Sequence, residues 1–439
     1  MKTSEIIRLA DKYGEEVVAI RRDFHKYAEA AWREFRTTSK IAKRLGEAGI
    51  PVQLGLDVIN PEYVWSYPAQ EDLDWHKKRA VEQGGDEGLI QKMNGYTGAV
   101  AIIDSGKPGP TVGMRFDIDC NDVIESEDAD HRPVTGGFAS VNKNFTHACG
   151  HDGHAAMGII TALVLNEVKD KLTGKVKIIF QPGEEGVKGA TAMVERGVVD
   201  DVDYLLATHI KRAADGDKPE LTASTSGSFS TTKFDVEIKG KNAHAGGAPQ
   251  NGNNAILAAC AAIMMMNTFM QDSNGSTRLN IGTIQGGTGR NVVPGQCFFR
   301  METRGATPEA EQRLYEKAVA SVKAACEAYG CTYTTQKMGA TLSGIADPEL
   351  VADIMEAGNE VSGLGAIVPV SVGRGGTDDF WMMVRRVQQN GGKASYMNVG
   401  TDIYGNAHDG RYDFNEDILI PGAKCNIAVA CYLLEKYSK

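Results

Sequence analysis

Thr231-Thr-Lys-Phe-Asp-Val-Glu-Ile-Lys239 reads as a strand, and the order of the elements after it decides the fold. A helical stretch over 253–270 comes next, then strands over 277–285 and 296–303, a helix over 308–329 and a strand over 332–337. Strand, helix, strand, strand, helix, strand is the split βαβ, ferredoxin-like order. It is complete in itself, so 226–337 is expected to be an inserted α+β domain; the alternative is one continuous sheet.

Outward from this insert, short apolar runs alternate with helical segments. Ala99–Asp104, Thr111–Asp117, Lys175–Gln181, 204–209 and 395–400 read as strands, and 4–25, 154–168, 190–196 and 418–437 as helices. Over 4–25 the apolar residues Ile6, Leu9, Tyr13, Val17, Ile20 and Phe24 recur at helical intervals. The alternation predicts an α/β domain, a mixed central sheet flanked by helices, discontinuous over 1–225 and 338–439. Residues 54–95 carry Pro, Trp and Tyr with little periodicity beyond a helix candidate at 72–83, and read as an insertion or lid-like loop.

The 439 residues exceed one typical hydrophobic core, in keeping with two domains. A net charge of −10 without a basic block disfavours a nucleic-acid partner. No signal peptide is expected, since the start mixes charged and apolar residues at helical spacing. The most apolar stretch, 255–270, contains Asn267 and Thr268 and is too short to span a bilayer, so no membrane partner is expected. Eight widely spaced cysteines suit reduced thiols in a cytoplasmic protein.

Three of the nine histidines and one cysteine fall in His147-Ala-Cys149-Gly-His151-Asp152-Gly-His154. Thiolate and imidazole hold transition metals well. No Cys-x-x-Cys accompanies them, so a closed structural zinc site is disfavoured. Cys149 and His151 can converge on one ion; spacing alone leaves open which of the four bind.

Other segments add candidates. Glu184-Glu185 follows a strand, where one carboxylate can hold metal while the other moves a proton, or where both are simply a solvated turn. The strand Thr111–Asp117 runs into Asp117-Ile-Asp119, which suits a carboxylate steering a ligand better than a calcium loop. His209 ends a strand, and His408 lies in a polar loop before the last helix.

Taken in order, Asp-x-Asp, Cys-x-His, Glu-Glu, a strand-ending His and a late loop His resemble peptidase family 20. This is the co-catalytic metallopeptidase group that includes aminoacylases, carboxypeptidase G and amino-acid amidohydrolases. The cysteine in the cluster is similar to the amidohydrolase branch, and the resemblance covers nearly the whole chain. It implies two divalent metal ions, Mn or Zn. Cys149 would bridge them, in place of an Asp of the carboxypeptidase branch, and His151, Glu185, His209 and His408 would complete the ligands. Glu184 would be general base and then acid, and Asp119 would orient a ligand. Asp117 stands where other branches have a His ligand.

In the insert, the resemblance makes His244 an oxyanion donor, Asn291 part of an Asn-Val-Val-Pro turn at the substrate, and Arg304 a grip for the substrate's carboxylate, a task that suits a bidentate guanidinium. Without the resemblance, each has an ordinary structural reading. The expected activity is hydrolysis of the amide of an N-acyl or N-aroyl amino acid, an aroyl-glutamate among them. Alternatives are deacetylation of an N-acetyl amino acid or N-acetyl-diaminopimelate, a thiol acyl-transferase using Cys149, and a non-catalytic role within a larger hydrolase. The resemblance implies a homodimer through the insert; the alternative is a hetero-oligomer with a related chain. The family's Arg-Ala-Asp-Met-Asp-Ala-Leu is Arg115-Phe-Asp-Ile-Asp-Cys-Asn121 here, and its Ser-Glu-Asp-Phe is Thr377-Asp-Asp-Phe380. These departures bear on substrate identity.

Overall fold

The structure is a computed structural model that describes residues 2–214, 218–267, 271–273, 275–373 and 376–438. The chain divides into two units, one of Met1–Ser226, Gly344–Val372 and Phe380–Lys439, the other of Gly227–Ser343 with Gly373–Asp379.

The first unit is built on an eight-stranded sheet in the order Val52–Leu54, Ala99–Asp104, Lys175–Gln181, Thr111–Asp117, Tyr204–Arg212, Lys393–Thr401, Glu220–Thr222, Ala366–Val368. Its four middle strands are parallel and buried along most of their length, and antiparallel strands sit beside them on both sides. Parallel neighbours need a crossover, and His151–Glu167 is the helix that carries the chain from Thr111–Asp117 to Lys175–Gln181. Every residue from His151 to Leu165 on it is buried, so the helix is apolar all round rather than striped.

Close approach of this helix to the sheet requires Gly158. A β-carbon there would lie 2.8 Å from both the Phe116 and Phe180 rings. Gly158→Val is therefore expected to lower stability by about 1–3 kcal/mol through overpacking, despite the better helix propensity of a side chain, as a shift in the denaturation midpoint.

The second unit is a five-stranded antiparallel sheet in the order Gln271–Asp272, Gly275–Gly286, Gln296–Gly305, Ser230–Lys239, Thr332–Thr341. Phe234, Val236 and Ile238 face its helices Ala255–Met266 and Pro308–Ala328, and pack with Ala258, Ala259, Ala262, Val322 and Phe299. The expected helix over 253–270 forms as Ala255–Met266; its last residues, 268–270, lie outside the described residues. The second unit also contains the short strand pair Ala243–His244 and Val292–Val293.

Three expectations about elements need correction. The stretch over 4–25 is not one helix: Thr3–Arg8 and Gly14–Lys26 flank a 3-10 turn, Leu9–Tyr13, with the poor helix former Gly14 at the junction. Residues 54–95 form the expected helix near 72–83, as Gln70–Glu82, but are not otherwise a loop: a second helix, Glu87–Lys92, follows, capped by Asp86. Phe35–Glu47, which has no place in the expected order of elements, is a helix burying Phe35, Thr38, Ile41, Ala42 and Leu45. Among the described residues one segment, Glu416–Lys436, is long and apolar enough to cross a membrane, and most of it is core of the first unit.

Candidate metal centre

Ligand sites in open α/β sheets lie beyond the carboxyl ends of parallel strands. Here Asp117 ends one strand and Asp119 follows it; Glu184 and Glu185 follow the next; His209 sits near the end of a third. Cys149 precedes the crossover helix, and Gly150 takes a left-handed φ of 88° to turn the chain into it. His408 has a positive φ of 62°, and its N–H donates to the Ala148 carbonyl at 2.8 Å, which ties the late loop to the cluster.

The donors fall into overlapping groups: Cys149, His151 and His209; Cys149, Glu185 and His408; and His151, Glu184 and Glu185. Within each, the ligand atoms lie within 4.8 Å of one another. Cys149 Sγ is 3.5 Å from His209 Nε2, and Glu185 Oε1 is 3.3 Å from His408 Nε2 and 4.0 Å from His151 Nε2.

Hydrogen bonds set the histidine tautomers. His151 Nδ1–H donates to the Asp119 carbonyl at 2.9 Å, and His209 Nδ1–H donates to the Ile210 carbonyl at 2.7 Å. A carbonyl only accepts, so Nδ1 keeps its proton and Nε2 is the nitrogen each ring turns toward the other donors, where a metal would displace any proton it holds. His151 Nε2 is buried with no hydrogen-bond partner among the described residues. His154 differs: Nδ1–H donates to Asp117 at 2.5 Å and Nε2 accepts from the Ile210 N–H at 2.8 Å, so neither nitrogen is left for an ion. His147 is buried with both nitrogens unpartnered among the described residues, and burial pushes its pKa down to about 3, so the ring is neutral. An orphaned buried Nε2 amid a thiol, two further imidazoles and two carboxylates fits divalent metal ions.

The electrostatics match. Burial opposes ionisation of Cys149, but His209 and the other imidazoles outweigh it and bring the thiol down to about 6. Burial likewise opposes ionisation of Glu185, yet His408 brings it down to about 2. His408 is raised to about 10 by Cys149 and Glu185. Anionic donors and imidazoles that hold one another's charge form a preassembled cation site.

Asp119 has a defined task. Its Oδ1 accepts from the Glu184 N–H at 3.0 Å and its Oδ2 from the Glu185 N–H at 2.9 Å, while its carbonyl holds His151. One buried residue thus orients both carboxylates and one imidazole. Asp117 pairs with Arg115 at 2.6 Å and with His154.

Sequence reasoning missed two supports. Glu34 is fully buried, accepts from the Gly183 N–H at 2.9 Å and from the Thr97 hydroxyl at 2.6 Å, and so fixes the turn before Glu184. Burial and the neighbouring Asp119 raise its pKa to about 8. Asp152, beside His151, is gripped by Arg21 at 2.9 Å and His25 at 2.8 Å; burial opposes its charge and Arg21 holds it well below the carboxylate range.

The other candidates belong to the second unit. Val292 pairs with His244, and the Ala245 N–H donates to the Asn291 carbonyl at 3.0 Å, which sets Asn291 beside the histidine turn. His244 is exposed, and its Nδ1 accepts from the N–H groups of Gly246 (3.2 Å) and Gly247 (2.9 Å), leaving Nε2 as the donor nitrogen. Arg304 lies opposite Arg278 in the five-stranded sheet. Its Nε and Nη2 donate to Glu302 at 2.9 and 3.1 Å, so its two-toothed edge is engaged within the unit.

A model of peptidase family M20/M25/M40 matches residues 113–431. Indole-3-acetyl-aspartic acid hydrolase of Enterobacter agglomerans is 40% identical over 405 residues, 92% of each chain. A p-aminobenzoyl-glutamate hydrolase chain of Escherichia coli (strain K12) is 39% identical over 400 residues, 91% of each chain. The crystal structure of the aminobenzoyl-glutamate utilization protein from Klebsiella pneumoniae matches 98% of both chains with a TM-score of 0.82 at 34% identity. The mixed α/β architecture is thus shared with solved relatives, and the donor groups that meet at Cys149 suit two divalent metal ions. Matched by the family model over most of its length, and by curated hydrolases over nine-tenths of it, the chain belongs to peptidase family M20/M25/M40 and is a metal-dependent amidohydrolase.

Proposed function

We propose that this chain hydrolyses the amide bond of N-acyl or N-aroyl amino acids, p-aminobenzoyl-glutamate among them. The observation that carries the reading is the pair of donor groups sharing Cys149, with Glu184 beside them on a backbone pinned by Asp119. The names of the relatives point the same way, since each joins an aromatic acyl group to an acidic amino acid.

Cys149, His151, Glu185, His209 and His408 would hold two divalent ions, Mn²⁺ or Zn²⁺. Bound there, the ions lower the pKa of water and polarise the scissile carbonyl. Glu184 accepts the proton of the attacking water and passes it to the departing amide nitrogen. A C–O bond forms, the C–N bond breaks, and the products are a carboxylic acid and a free amino acid. We assign His244 to the oxyanion and Asn291 and Arg304 to substrate contacts. A homodimer through the insert is supported by Leu257, Met264 and Met265, exposed on one helix of the second unit. Free cysteines throughout support a cytoplasmic setting.

The test is a screen of p-aminobenzoyl-glutamate, hippurate and N-acetyl-diaminopimelate on metal-loaded protein, before and after chelation. The expected result is amide hydrolysis that chelation removes and Mn²⁺ or Zn²⁺ restores. Failure on every amide would sink the substrate class. Turnover that survives chelation and is stopped by iodoacetamide would mark Cys149 as a nucleophile instead.

A further inference from the structure

The helix Gln70–Glu82 carries a buried arginine with no carboxylate in contact, although the buried Glu29 lies near enough to act on its charge. Arg79 is only 9% exposed, and its Nε and Nη2 are both buried with no hydrogen-bond partner among the described residues. No carboxylate oxygen there lies within 4.0 Å of it; the nearby Asp72 is taken by Arg33 at 2.7 Å. Glu29, also near, is already satisfied by the Arg36 and Thr37 N–H groups and the Thr37 hydroxyl. Burial lowers the Arg79 pKa, as for a charge held out of water with no partner in contact.

The unpartnered edge has a known use in this molecule. Nε and Nη2 form the side of guanidinium that grips both oxygens of a carboxylate. Arg22 holds Glu416 this way, Arg304 holds Glu302 and Arg313 holds Asp272, with N···O distances of 2.6–3.1 Å. Among these, Arg79 alone has the edge buried and unused.

The plane of Arg79 is set by aromatic rings, Trp75 at 5.0 Å and Phe145 at 5.6 Å from the guanidinium carbon. His76, one turn earlier, also has an unpartnered buried nitrogen, Nδ1. Its pKa is brought down to about 4 by burial and by Arg79, so it adds no competing charge. The patch borders the metal centre through the chain. Phe145 packs on Cys120, which follows Asp119, and Thr146 pairs with Asn121 just before the His147–Cys149 run.

We propose that Arg79 is a specificity residue that binds the side-chain carboxylate of an acidic amino acid in the substrate, through its Nε and Nη2. This rests on the amide-hydrolase reading and narrows it to conjugates of glutamate and aspartate. It also leaves Arg304, engaged by Glu302, out of that particular contact.

N-Benzoyl-glutamate and its neutral isostere N-benzoyl-glutamine test it on the metal-loaded full chain. The wild type is expected to prefer the glutamate conjugate in kcat/KM. In Arg79→Met that preference is expected to fall about 10–100-fold, as a rise in KM for the glutamate conjugate, the scale of a lost charged hydrogen-bonding pair. Arg79→Lys, with charge but no fork, should restore part of it. A wild type without preference overturns the proposal even if the variants fail to fold. So does an equal loss on both substrates, which means a structural role only. If the wild type cleaves neither conjugate, the amide-hydrolase reading fails instead. Thermal stabilisation by N-acetyl-glutamate over N-acetyl-glutamine then decides for Arg79: present in the wild type and absent in Arg79→Met supports it, and its absence in the wild type overturns it.

Discussion

Glu184→Gln is expected to lower kcat by about 10²–10⁴-fold while the protein keeps both metal ions. The substitution is isosteric and leaves the backbone contact intact, since Asp119 accepts from the Glu184 N–H and not from its side chain. Glu185 keeps its place for the same reason. What disappears is a carboxylate able to take a proton at a buried position beside the donor groups. Metal analysis and steady-state kinetics on the same preparation check this. Full activity would remove Glu184 as the base. Loss of metal together with activity would make it a ligand.

Cys149→Ala is expected to cost more than activity. Cys149 Sγ is the atom common to the His151–His209 group and the Glu185–His408 group. Removing it would take an anionic donor from both groups at once. Metal content should fall below two ions per chain. kcat/KM should fall by more than the roughly 10–100-fold lost when a residue behind the ligands is removed. Cys149→Asp, which returns a bridging anion of similar reach, should recover metal and part of the activity. A Cys149→Ala protein that retains two ions would show that the thiolate is not shared.

Much of this molecule can be read along the chain. Alternating strands and helices mark the α/β frame, and the split βαβ order marks the insert, because side-chain periodicity reports which face each element buries. The helix over Phe35–Glu47 obeys the same rule through Thr38, Ile41, Ala42 and Leu45, so its signal was present. Inside 54–95 the pattern marks only the first helix, and weakly. Gln70–Glu82 buries Leu73, His76, Arg79 and Ala80, a stripe in which two of four residues are charged or polar.

Cys149 with His151, and Glu184 with Glu185, are neighbours in sequence, and their chemistry could be recognised without coordinates. Their partners could not be derived that way. Asp119 is 65 residues from the Glu184 N–H that it accepts, and Cys149 is 60 residues from His209. Local pattern was enough for the α/β frame, the adjacent donor pairs and the family. The assembled fold was needed to establish which histidine nitrogens turn toward the other donors, that His154 is used up by Asp117 and Ile210, that Glu34 braces the Glu184 turn, and that Arg79 lies buried with its carboxylate-gripping edge unpaired. The difference is one of range: periodicity and turn chemistry act over a few residues, whereas hydrogen-bond partners and burial are set by strands and loops that meet only once the sheet is assembled.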